Sequence, residues 1–372
     1  MPILWKKQLI SNERFESAGI FDLNGDGKPE IVSGAYWYER PDVRTQHFIG
    51  PVQNIGEYYD DFSTIPLDVN GDGRLDYITG GWWGNTLRWR ENPGDPAKEW
   101  PEHVIAEVGN IETTRAWDVD GDGQLEIVPN TPNGPLVVYK LVAPGEFKAY
   151  PIWPEKQQHG LGFGDVNGDG RGDFILRNGW LEAPADPYTG QWVFHPDFDF
   201  GPLASVPILV VDLNGDGANE LIVGNAHGYG LDWWEQRPDG QGGRTWRRHP
   251  IDPYNSQFHD LMWVDLDGDG APELLTGKRF RAHNGADPGD YDPVGFYYFK
   301  WNGESFTKQI IDYGPPGVGA GCGIHFAVGD LSGHGRLDIV APGKQGLYFY
   351  ENLGCPTSTR AAWKMEADGR LT

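Results

Sequence analysis

Seven nine-residue segments carry the same pattern of oxygen-bearing side chains. Each begins with Asp, has Asn, Asp or Ser at position three, and ends in Asp or Glu at position nine. Position five is Asp in all but the last copy, and positions four and six are always Gly. The first six copies present Asp22, Asn24, Asp26 and Glu30; Asp68, Asn70, Asp72 and Asp76; Asp118, Asp120, Asp122 and Glu126; Asp165, Asn167, Asp169 and Asp173; Asp212, Asn214, Asp216 and Glu220; and Asp265, Asp267, Asp269 and Glu273. Oxygen donors at alternate positions of a tight loop suit a hard cation, and calcium takes about six to eight of them in a flexible shell. The loop opens like an EF-hand, but its last acid comes at position nine rather than twelve, and strand-like runs flank it. The plain alternative is a metal-free turn held by Asx side chains. We expect structural calcium in these six loops. In the seventh, starting at Asp330, Ser332 and His334 replace two ligands, and we expect it empty or weak.

The histidines form a second group. Neutral imidazole can ligate a metal or act as a general base near neutral pH. Two or three of them with a carboxylate could hold one divalent transition metal with an open position. A lysine beside a polarised carbonyl could stabilise an oxyanion. Whether any of them meet depends on the elements that carry them.

The loops recur every 46 to 65 residues. A fixed signature at such a period means a repeat architecture. Each repeat reads as four short strands by its alternation and its β-branched and aromatic content. The first runs into the acidic loop, as in Ile208–Val211, and the second leaves it, as in Glu30–Gly34. The third is aromatic, as in Tyr36–Glu39 and Leu231–Glu235. The fourth has the form Trp100–Ile105 or Trp246–Ile251. Seven such units predict an all-β, seven-bladed β-propeller with the first strands lining a central channel. It would be a single domain over 1–372, with 355–372 as a C-terminal extension. Trp5–Ile10 has the fourth-strand form but precedes the first loop, so the N-terminal strand is expected to close the ring; Ala361–Met365 competes for that edge.

This geometry sorts the histidines. His47, His103, His195 and His249 fall in fourth strands, where the repeated spacing reads as structural. His159, His259 and His325 open first strands, while His227 and His283 follow second strands. All five should approach the channel mouth opposite the acidic loops. We expect one catalytic site there, centred on His227 and His259. His159 and His325 come from further round the ring, Lys278 serves the oxyanion, and Tyr59 is a proton donor. The insertion around His283 would be a lid.

The acidic loops resemble the FG-GAP/VCBS repeats of integrin-like and fungal-lectin propellers over nearly the whole chain. The aromatic third strand and the Trp-x-x-His-x-Ile fourth strand are similar to the propeller domain of fungal aldos-2-ulose dehydratases. That resemblance implies an intracellular sugar lyase that uses a metal, and it transfers no catalytic residue.

Net charge is −24, and the seven loops supply 22 of the 54 acidic residues. Such a surface repels nucleic acid and anionic membranes, which excludes both as main partners. Met1–Ile10 lacks the apolar core of a signal peptide, so the expected location is cytoplasmic. Three functions are consistent with these features. The first is a carbohydrate-active lyase or dehydratase that removes a proton beside a carbonyl of a keto-sugar or related saccharide and eliminates water or an alkoxide. The second is a calcium-dependent lectin, whose sites should recur once per repeat. The third is an interaction scaffold. The irregular polar groups of the channel mouth favour the first.

Overall fold

The computed structural model describes residues 2–40, 42–240 and 243–356. Seven four-stranded sheets are each built on one acidic loop, and the fold is an all-β, seven-bladed propeller. Blade 1 runs Gly19–Phe21, Glu30–Ser33, Tyr36–Tyr38 and Gln46–Phe48, each strand antiparallel to the one before. The first strands of blades 2 to 7 are Ile65–Leu67, Thr113–Trp117, Leu161–Gly164, Leu209–Val211, Phe258–Val264 and Ala327–Gly329. First strands touch between blades 1 and 2, 1 and 7, 4 and 5, and 5 and 6, and so gather round the axis. Blades 4 and 5 approach so closely that a Cβ on Gly162 would lie 2.3 Å from the Ile208 carbonyl oxygen. In blade 7 the fourth strand is Trp5–Ser11, which pairs antiparallel with Leu347–Asn352. The competing segment Ala361–Met365 lies outside the described residues.

Burial peaks at the second strand of each blade and falls toward the rim. All seven second strands are buried at every residue, whereas fourth strands such as Glu102–Glu107 alternate. Apolar clusters fill the spaces between neighbouring blades, with fully buried Trp180, Phe174 and Phe296 among the largest members. Each such side chain contributes roughly 1.5–3 kcal/mol relative to exposure.

The acidic loop is a closed hydrogen-bonded unit. In blade 1, Asp22 accepts from the amides of Gly25 and Gly27, both at 2.8 Å. These glycines have φ of 75° and 82°, a left-handed conformation that a Cβ disfavours. The position-nine acid turns back on the loop. Glu30, Asp76, Glu126, Asp173, Glu220, Glu273 and Asp338 each accept the amide of the loop's second or third residue at 2.7–3.0 Å.

Two asparagines staple neighbouring blades. Asn92 donates to the carbonyls of Leu23 and Leu75, and Asn352 to those of Leu266 and Leu337. Asn352→Ala strands the buried Leu266 carbonyl, and an unmade buried hydrogen bond is expensive. We expect a loss of about 2–3 kcal/mol in urea unfolding; an unchanged midpoint would show that the staple contributes nothing.

Candidate functional site

Three imidazoles and one carboxylate meet at the channel mouth. Ligand atoms of Glu112, His159, His227 and His259 all lie within 4.8 Å of one another, and all four residues are buried. His259 Nε2 donates to Glu112 Oε1 at 2.8 Å. His159 Nε2 and His227 Nε2 stand 3.4 and 3.9 Å from the same oxygen. The rings are mutually edge-on, with centroids 5.1–5.6 Å apart.

Each side chain is aimed by a local backbone feature. Glu112 precedes the first strand of blade 3, its amide bonded to the Asn130 carbonyl. His159 precedes the first strand of blade 4, and its Nδ1 donates to the Ala204 carbonyl at 2.6 Å. A carbonyl only accepts, so the Nε2 of neutral His159 offers a lone pair. It is buried without a hydrogen-bond partner. His227 lies in the turn after Glu220–Gly224, and its Nδ1 bonds Asp287 at 2.7 Å. His259 lies where the register of blade 6 shifts between Phe258 and Leu261. Such a bulge re-aims side chains. Here His259 turns to the cluster and Asp260 into the axis, where it meets Arg115 of blade 3 at 2.6 Å.

Charge is dense and paired. Arg279 bridges Glu16 at 3.0 Å and Glu112 at 3.4 Å. Burial would raise the pKa of Glu112, but the imidazoles gathered round it, His159 foremost, hold it well below the usual range. Burial pushes His259 well down. For His227, the hydrogen bond it donates to Asp287 and the nearby Glu112 carboxylate overcome burial and raise the pKa. Two carboxylates thus flank one imidazole and draw positive charge to the cluster.

The insertion after blade 6's second strand covers this group. It contains a short 3₁₀ turn, Ala282–Gly285. Asp287 accepts from His283 Nδ1 at 2.8 Å, and His283 stacks on His227 with centroids 4.3 Å apart. Arg281, His283 and Asn284 have positive φ, a strained state in non-glycine residues that concentrates at functional sites. Arg281 clamps Glu57 through two bonds of 3.0 and 2.7 Å. Beside the cluster lies a cavity of about 370 Å³ lined by Tyr58, Phe62, Trp82, Trp83, Glu112, Arg279, His283 and Asn284.

The expected site residues divide. The structure brings together His159, His227 and His259, with His283 above them. His325 stands apart, accepting the Thr64 amide at its Nδ1. It lies one residue further along its strand than His259 does in blade 6, and side chains alternate along a strand. Lys278 bonds the carbonyls of Gly289 and Asp292, the latter at 3.1 Å, and so ties down the insertion. Tyr59 packs on Phe15, ring centroids 4.5 Å apart. The fourth-strand histidines stack on Trp37, Trp89, Trp180 and Trp233. Sequence reasoning missed Glu112, Glu16, Asp287 and the Trp82–Trp83 wall. A signal existed for the first two. Glu16, Glu112, His159 and His259 each stand six residues before the first aspartate of their loop.

Arg279→Met leaves Glu16 and Glu112 buried without their guanidinium. Breaking a buried pair costs about 3–5 kcal/mol, and we expect a loss of that order in denaturant unfolding. An unperturbed variant would show that solvent reaches both carboxylates.

The FG-GAP-like repeat model matches residues 22–79, 68–129, 118–176 and 212–276. No curated protein sequence matches the chain. Among solved structures, BBS1N in its crystalline complex with ARL6DN has a similar fold, at TM-score 0.56 and 12% identity over 96% of this chain and 98% of that one. Sqt1 of Saccharomyces cerevisiae is similar at TM-score 0.52 and 10% identity, over 95% and 99%. Identities this low establish the shared fold alone. The repeat matches span more than half of the residues, and the chain belongs to the FG-GAP-like repeat family.

Proposed function

We propose that this protein is a carbohydrate-active lyase of the dehydratase type, acting on a keto-sugar or related saccharide at the channel mouth. One observation carries the reading: Glu112 belongs both to the buried imidazole cluster and to the aromatic-walled cavity beside it. Three imidazoles with one carboxylate fit zinc, manganese or a similar divalent ion. The orphaned Nε2 of His159 fits the same role, and the Nδ1 bonds of His159 and His227 are the kind of outer support that orients ligating histidines. Such an ion, when bound, supplies Lewis acidity toward a substrate carbonyl.

The chain's own groups supply the rest. Tyr58, Phe62, Trp82 and Trp83 give apolar faces to the C–H side of a sugar ring. Arg279 offers cationic donors at the cavity floor. His283 lines the cavity with Nδ1 fixed by Asp287, so its Nε2 can accept the proton beside the carbonyl. The C–H electron pair becomes the new double bond, and the β-hydroxyl leaves as water with the proton that His283 returns. The likeness of the third and fourth strands to sugar-dehydratase propellers supports the same class.

The test is a screen of keto-sugars and uronides with manganese- or zinc-loaded protein, read by the ultraviolet absorbance of the conjugated product. His259→Ala should lose one equivalent of metal and all turnover, and Asp287→Asn should weaken metal binding roughly 10–100-fold. Full activity in His259→Ala would overturn the central site. Glycan binding without turnover in the parent would put a lectin in its place, and neither activity would favour an interaction scaffold.

The same reading makes the acidic loops calcium sites and the N-terminal strand the closure of the ring. The fit is chemical: every donor is oxygen, and the loop amides engage the carboxylates while leaving lone pairs free. A ligand bound only by the folded state at 100 times its Kd stabilises by about 2.7 kcal/mol per site. Excess chelator should therefore lower the melting temperature by several degrees, Asp216→Ala should remove one ion, and His334→Ala none. Melting that ignores chelator would sink the calcium reading.

A further inference from the structure

The seven blades are not equivalent at their loops. Across the sheet, the third strand places one residue beside each acidic loop. That residue follows the register pairs Ile31–Tyr38, Tyr77–Arg90, Ile127–Tyr139, Phe174–Leu181, Leu221–Trp234 and Leu274–Phe299. In blades 1, 2, 4 and 5 it is Glu39, Glu91, Glu182 and Glu235, and the loop's third position is Asn. In blades 3 and 6 it is Lys140 and Lys300, and the third position is Asp. The two positions change together.

The surroundings change with them. Each of the four glutamates is bonded at 2.8–3.1 Å by a fourth-strand histidine, which stacks on a third-strand tryptophan. Blades 3 and 6 have Tyr150 and Gln309 in place of that histidine, and Val138 and Tyr298 in place of that tryptophan. Their lysines turn into the loops instead. Lys140 Nζ lies 2.5 Å from Asp120, 2.7 Å from Asp122 and 2.9 Å from Glu126. Lys300 Nζ lies 2.5 Å from Asp267, 3.1 Å from Asp269 and 2.9 Å from Glu273. Each ammonium has three donors and meets three carboxylates, those of positions three, five and nine. These are three of the four side chains that would ligate calcium.

We propose that blades 3 and 6 carry their own cation: Lys140 and Lys300 occupy these loops and exclude calcium, which binds only the asparagine-type loops of blades 1, 2, 4 and 5. This rests on the calcium reading above. The ammonium is tethered beside the loop and competes at an effective concentration on the order of millimolar, with no capture from solution. Calcium bound beside it would also place two like charges at one site. The extra aspartate of these loops then has a plain role as the third acceptor for the ammonium.

The experiment counts calcium. Chelator-stripped protein is titrated with calcium chloride by calorimetry, and bound ions are checked by elemental analysis after dialysis. Four ions are expected, five in Lys140→Gln or Lys300→Gln, and six in the double variant. Six ions in the parent overturn the proposal and leave the calcium reading intact. No bound calcium overturns both. Four ions in the parent and in every variant show that lysine is not what excludes the metal. A second measurement needs no variant: amine labelling of the native chain, read by mass spectrometry, should find Lys140 and Lys300 protected equally with and without calcium. Labelling of either that rises when calcium is added would overturn the proposal.

Discussion

One hydrogen bond, made seven times, underlies the ring: the position-nine carboxylate accepts an amide from the start of its own loop. It fastens the turn between first and second strands at the point where the second becomes wholly buried. A carboxylate there cannot be solvated, so it must be bonded. In blades 2, 4 and 7 the acid is the shorter Asp, and its other oxygen takes the amide of Asn92, Ala183 or Asn352, at or just beyond the end of the third strand. The longer Glu of blades 3 and 6 reaches Lys140 or Lys300 instead. The bond leaves each acid one spare oxygen, and the length of the side chain decides which partner that oxygen meets.

Apart from the position-nine acids and the stapling asparagines, much of the buried charge gathers at the axis. Between blades the core is apolar, while around the axis Glu16, Glu112, Arg115, Asp260, Arg279 and Lys344 are buried together or in pairs. Desolvation penalises each charge taken alone. It pushes Lys344 down to about 8 and Asp260 up to about 6.

Much of this was legible in the residues. The period of the loops and their paired glycines prescribe blades, because a fixed nine-residue turn can join only two adjacent strands of one sheet. The convergence of His159, His227 and His259 followed from their places at strand ends. Glu112 escaped notice because an acid in a chain of 54 acidic residues attracts no attention by type; only its register with His159 and His259 marks it. Asp287 could not be placed, since it sits in an insertion with no counterpart in the other repeats. Lys278 ends a strand at the mouth as expected, but the fold turns its ammonium toward the insertion's carbonyls. Periodicity locates a side chain along a strand; it does not say which neighbour claims it.

Blades 3 and 6 are joined twice across the axis, by Arg115 to Asp260 and by Glu112 to His259. The spokes also reach the seam between the last blade and the first: Asp260 accepts the Phe326 amide, and Glu16, which pairs with Arg279, accepts the amides of Ile324 and His325 at its carbonyl. Strain at that seam would therefore be felt at the imidazoles, because the hub and the join share the same buried charges.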